Sequence, residues 1–68
     1  MAKMTLKAAR VNAGLKQKEA ATALGVSNKT LSNWENGLVI PKADKIDPIC
    51  TLYDVAYDNL IFLPSNSL

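Results

Sequence analysis

Residues 17–37 read QKEAATALGVSNKTLSNWENG, and this stretch decides the fold. Its apolar residues fall three and four positions apart, as on a helix. From residue 17 to 24, Ala20, Ala21 and Leu24 share one face, and Gly25 can take the left-handed conformation that ends a helix. Ser27 is a strong N-cap type, and the helix that it starts runs over 28–36. Two helices joined by so short a Gly-containing link must meet at a tight corner. Ala20, Leu24, Val26, Leu31 and Trp34 suit its inside, and the small Ala21 lets the two helices approach.

Outward from this corner the same spacing continues, with no sustained alternation that would signal strands. A preceding helix is predicted over 3–13, with Leu6, Ala9, Arg10 and Ala13 on its inward stripe and Gly14 as its stop. A fourth helix covers 43–54, with Ile46, Ile49, Cys50 and Tyr53 facing inward. Pro48 interrupts it. Either Asp47 caps and Pro48 opens the helix, or Asp44 caps and Pro48 removes a hydrogen bond and bends the first turn. A fifth helix covers 57–62, with Val55 and Leu60 as its core contribution and Pro64 as its stop. The expectation is an all-α, five-helix single domain spanning residues 1–68.

Composition narrows the function. The 68 residues include no His and one Cys, Cys50, so neither an intrachain disulfide nor a zinc or haem site is expected, and no cofactor is called for. Catalytic groupings that need His are excluded, and the scattered carboxylates form no evident acid–base pair. At this size folding hides only about 60% of the unfolded chain's surface, which leaves no room for a deep substrate cavity. An enzyme is not expected. The apolar runs 38–40 and 60–63 are far shorter than the roughly 20 residues of a membrane helix, and the N-terminus lacks a signal-peptide core. The expected location is the cytoplasm.

The charges are unevenly placed. Residues 1–42 carry Lys3, Lys7, Arg10, Lys16, Lys18, Lys29 and Lys42 against Glu19 and Glu35, a net of +5. Residues 43–68 carry Lys45 against Asp44, Asp47, Asp54 and Asp58, a net of −3. A basic part beside an acidic one suggests a polyanion-facing surface with its opposite side turned away.

Rotation at about 100° per residue sorts the helix over 28–36. With Leu31 and Trp34 inward, Lys29, Ser32, Asn33 and Asn36 lie opposite, and Asn28 projects from the exposed tip. Glu35 falls close to the inward stripe, where it is the best partner for Arg10, whose guanidinium would otherwise be buried at high cost. The outward polar residues could simply solvate an exposed face. They also carry the right chemistry for base edges: Lys29 can donate to guanine O6 and N7, Asn28 or Asn33 can pair with adenine N6 and N7, and Ser32 tolerates either.

Arg10, Gly14-Leu15, Gln17, Glu19-Ala20-Ala21, Leu24-Gly25-Val26-Ser27, Thr30-Leu31-Ser32, Trp34-Glu35-Asn36-Gly37, Pro41, Ile49-Cys50 and Tyr53-Asp54-Val55 together resemble the DNA-binding domain of lambdoid phage repressors and Cro proteins, the Xre-type helix-turn-helix family. The resemblance runs from Leu6 to Leu63. It implies a five-helix fold whose second corner helix lies in the major groove, with Asn28, Lys29, Ser32 and Asn33 reading bases. It also implies phosphate contacts from Gln17, Ser27, Thr30, Asn36 and Lys42, and an internal ion pair between Arg10 and Glu35. Ala13, Pro48, Asp54 and Ala56 depart from the family pattern.

The implied partner is a double-stranded, pseudo-palindromic DNA operator bound by a homodimer, in a transcriptional regulator of bacterial, phage or mobile-element origin. Because the chain carries no separate oligomerisation domain, a Cro-like or small stand-alone regulator is expected over a two-domain repressor. Tyr57, Ile61, Phe62 and Leu63 exceed what Leu60 alone needs and form the candidate dimer surface, although they could equally close a small core. The alternative function is a protein-binding module of the same fold, such as an antitoxin-like or regulator-partner protein.

Overall fold

A computed structural model describes residues 3–62. Four α-helices carry the fold: α1 (Leu6–Asn12), α2 (Gln17–Leu24), α3 (Asn28–Glu35) and α4 (Ala43–Tyr53). Two short strands, β1 (Met4–Thr5) and β2 (Leu60–Ile61), bracket them and pair in parallel, Met4 beside Leu60 and Thr5 beside Ile61. A single 3₁₀ turn, Tyr57–Asn59, leads into β2.

Among the described residues there are four α-helices and a 3₁₀ turn, which stands where the fifth helix was expected. Residues 57–59 wind only once before the chain extends to pair with the N-terminal segment. That pairing also shortens α1, which starts at Leu6 rather than residue 3. Thr5 is its N-cap, extended at φ −69° and ψ 165°, and its hydroxyl accepts from the Ala8 N–H at 3.1 Å. At the other end Ala13 caps α1 and is exposed, so it leaves the inward stripe predicted for it. Gly14 follows at φ +78°, the left-handed geometry that only glycine adopts readily.

The corner forms as its residues dictate. Gly25 ends α2 at φ +72°, and Ser27 caps α3 by accepting from the Thr30 N–H at 3.0 Å. Leu24, Leu31 and Trp34 close its inside, with Val26 half-buried beside them. The core adds Leu6 and Ala9 from α1, Ala20 and Ala21 from α2, Ile49 and Tyr53 from α4, and Leu60. Leu31 and Ile49 have no exposed surface, and α3 is held chiefly by its packing against α2, with α1 beside it.

Of the two arrangements predicted for Pro48, the second holds in part: Pro48 lies within the helix and removes a hydrogen bond, but Asp44 is not the cap and Pro48 is not in the first turn. Lys42 is the N-cap, and Pro48 lies inside α4, past its first turn. Its ring leaves the Asp44 carbonyl without the helical donor that residue 48 would normally supply. At its end α4 stops on Asp54, which takes the left-handed conformation with φ 53° and ψ 53°. Leu63 and Pro64 lie outside the described residues.

Candidate nucleic-acid interface

The outer surface of α3 is built from the opposite side of the residues that anchor it. Leu31, Trp34 and Glu35 are buried. Asn28, Lys29 and Asn36 are exposed, and Ser32 and Asn33 are half-buried. The four residues assigned to base edges thus share the solvent side of one anchored helix, with Asn28 at its first turn.

Beneath them lies a continuous polar chain. Arg10 Nε donates to Glu35 Oε2 at 2.7 Å, and Arg10 Nη2 donates to Glu35 Oε1 at 3.3 Å. Arg10 Nη1 donates to the Leu15 carbonyl at 2.8 Å, which ties the loop after α1 to the same guanidinium. The whole residues are 8% and 7% exposed, so this is a nearly desolvated ion pair in which each guanidinium nitrogen makes a hydrogen bond. Gln17 Nε2 then donates to Glu35 Oε1 at 3.1 Å, and Asn28 Nδ2 donates to Gln17 Oε1 at 3.3 Å. One run of hydrogen bonds joins the interior of α1 to the exposed tip of α3.

The residues assigned to phosphate are spread around this face. Gln17 stands at the first position of α2, where unpaired backbone N–H groups favour an anion. The Ser27 hydroxyl donates to Thr30 Oγ1 at 2.9 Å while it caps α3, so its single hydrogen is used within the protein. The Thr30 hydroxyl hydrogen is the one this pair can offer outward. Asn36 Nδ2 donates to Ser32 Oγ at 3.3 Å, coupling a phosphate candidate to a base candidate. Lys42 is exposed at the start of α4.

Between Thr30 and Lys42 lies an open cavity of about 280 Å³, lined also by Trp34, Val39, Ile40, Asp44 and Lys45. The loop Leu38-Val39-Ile40, which walls it through Val39 and Ile40, is 49% to 60% exposed. It appears in the sequence as an apolar run, yet nothing in its spacing marks it as surface, because an apolar tripeptide between two helices reads equally well as core. Lys45 was also missed as a structural residue. Its Nζ donates to the Leu24 carbonyl at 3.1 Å, satisfying an end of α2 from α4.

Of the candidate dimer surface, Tyr57 and Ile61 are exposed, and Phe62 is half-buried against the core. The rings of Tyr57 and Phe62 lie 6.1 Å apart at 40°, a tilted aromatic pair. Leu63, the fourth residue of that surface, is outside the described residues.

Burial first, and then Asp47, push the Cys50 thiol above its usual range, and its side chain packs half-buried against the core. Among the described residues there is no group of three His, Cys, Asp or Glu side chains that could hold a metal, and no helix is long and apolar enough to cross a membrane.

The Helix-turn-helix family model matches residues 6–60. Over 56 residues the chain is 43% identical to the HTH-type transcriptional regulator ImmR of Bacillus subtilis (strain 168), an alignment that covers 82% of this chain and 44% of that protein. The chain thus spans less than half the length of that relative. No solved structure matches it at a significant level.

Proposed function

The chain belongs to the helix-turn-helix family, and from that premise we propose that it is a transcriptional regulator that binds double-stranded DNA in a sequence-specific way. The observation that carries this reading is the outer face of α3. Four short or cationic polar side chains, Asn28, Lys29, Ser32 and Asn33, stand on a helix whose reverse side is locked into the core. Such a helix fits the major groove with its N-terminal residues at base edges. Gln17, Thr30, Asn36 and Lys42 flank it as phosphate contacts, which fix register without reading sequence. Ser27 contributes by capping α3 and orienting the Thr30 hydroxyl.

Two copies on a pseudo-palindromic operator, with half-sites about one helical turn apart, complete the proposal. Tyr57 and Ile61 supply exposed apolar surface on the acidic C-terminal part, away from α3 in sequence and opposite in charge to the basic part. A Cro-like regulator of phage or mobile-element origin remains the finer reading of the resemblance. The exposed Leu38-Val39-Ile40 loop favours one second reading, a protein partner seated beside the DNA face.

Salt dependence of duplex binding separates these readings. Lys42→Ala should weaken binding to all sequences about equally and lower the salt slope by about one unit, whereas Asn33→Ala should relax preference at a single base pair. A chain that shows no salt-dependent retention on duplex DNA would favour the protein-partner reading.

A further inference from the structure

We infer that the buried Glu35 carboxylate acts as a positioning residue for base choice: through Gln17 it sets the hydrogen-bond polarity of Asn28, so that Asn28 selects adenine over guanine. This rests on the proposal that α3 reads DNA.

The argument is one of donors and acceptors. An ionised carboxylate accepts and never donates. Glu35 Oε1, already held by Arg10, can therefore meet only the amide nitrogen of Gln17, and Gln17 Nε2 donates to it at 3.1 Å. This forces the Gln17 carbonyl oxygen to the outer side. There it can meet only a donor, and Asn28 Nδ2 supplies one at 3.3 Å. Two interchangeable-looking amides are thus oriented from the interior outward.

The consequence appears at the tip of α3. One Nδ2 hydrogen of Asn28 is used by Gln17, which leaves Oδ1 and the second Nδ2 hydrogen for a base. An acceptor beside a donor is what adenine N6 and N7 require in the major groove. The opposite amide orientation would turn Oδ1 inward and present two hydrogens outward. That edge suits guanine, whose O6 and N7 both accept. Glu35 makes no contact with the groove, yet its fixed acceptor character decides which of the two edges Asn28 shows.

Glu35→Gln tests this by keeping the side-chain length while allowing residue 35 to donate as well as accept. Binding is measured by fluorescence anisotropy on duplexes selected by the parent chain and varied one base pair at a time, with Asn28→Ala and Gln17→Met in parallel. In the parent, adenine is preferred roughly tenfold over guanine at the base pair where Asn28→Ala abolishes preference. Glu35→Gln and Gln17→Met should each bring that ratio within about threefold and leave preferences elsewhere unchanged. Gln17→Met leaves the Arg10–Glu35 pair intact, so it carries the test if Glu35→Gln does not fold. Retention of the full adenine preference in either folded variant would overturn the inference, while the DNA-reading proposal would stand. A parent with no preference at any base pair would overturn both.

Discussion

Arg10 Nε meets Glu35 Oε2 at 2.7 Å in the interior, binding α1 to the last turn of α3 with both side chains almost fully withdrawn from water. Each charge is tolerable there because the other is present. Glu35→Ala should therefore lower stability by about 3 to 5 kcal/mol in urea unfolding, with an unchanged slope. Replacing both residues with methionine should cost far less than the sum of the two single changes. Additive losses would mean that the two side chains act independently.

Tyr53 stands near this pair, with its hydroxyl buried and without a hydrogen-bond partner among the described residues. Burial chiefly, with Glu35 adding and Arg10 opposing, pushes its pKa up to about 12. The folded state thus holds the phenol proton more tightly than the unfolded chain, whose tyrosine titrates near 10. This contribution is complete below about pH 10 and is lost as pH rises towards 12. Tyr53→Phe should be neutral or stabilising by about 1 kcal/mol at pH 7, since it removes an unpaired buried polar atom, and should show a weaker alkaline loss than the parent. Thermal unfolding of both proteins between pH 8 and 12 checks the two expectations together.

Asp54 ends α4 at φ 53° and places a carboxylate at the negative end of that helix. Both features are unfavourable there, and glycine relieves both. Asp54→Gly should raise stability by about 1 kcal/mol, and Asp54→Asn by a smaller amount that isolates the charge. A lower urea midpoint for Asp54→Gly would contradict the strain reading.

Lys45 crosses from α4 to the carbonyl end of α2. Lys45→Met keeps the aliphatic stem and removes the donor, so it should cost about 1 kcal/mol. Amide exchange should report the loss as faster opening at residues 21–25.

How far these features could be read beforehand follows from how local their causes are. The bounds of α2 and the start of α3 were legible because Gly25 and Ser27 act within one or two residues of themselves. The pairing of Arg10 with Glu35 was legible although 25 residues separate them, because a charge on an inward stripe demands a partner and periodicity left one. The β1–β2 pairing was not, since two-residue strands carry no alternation and their partners lie more than fifty residues apart in the sequence. The choice between the two placements of Pro48, and the cap at Lys42, were not legible for a related reason. Proline favours helix starts, and the packing of Ile49 and Tyr53 outweighed that preference. At the candidate site, the outward face of α3 was legible from rotation alone. The bond from Gln17 to Glu35 required the angle between two helices, which spacing does not contain.

The central claim is that the outer face of α3 reads a DNA sequence. Selection of bound duplexes from a random pool by the parent chain and by Asn33→Ala tests it most directly. The account predicts that the parent enriches a half-site containing adenine, repeated as an inverted pair about one helical turn apart, and that Asn33→Ala loses preference at one position of it. A parent pool that stays random after repeated rounds at low salt, or an Asn33→Ala pool identical to the parent's, would contradict it.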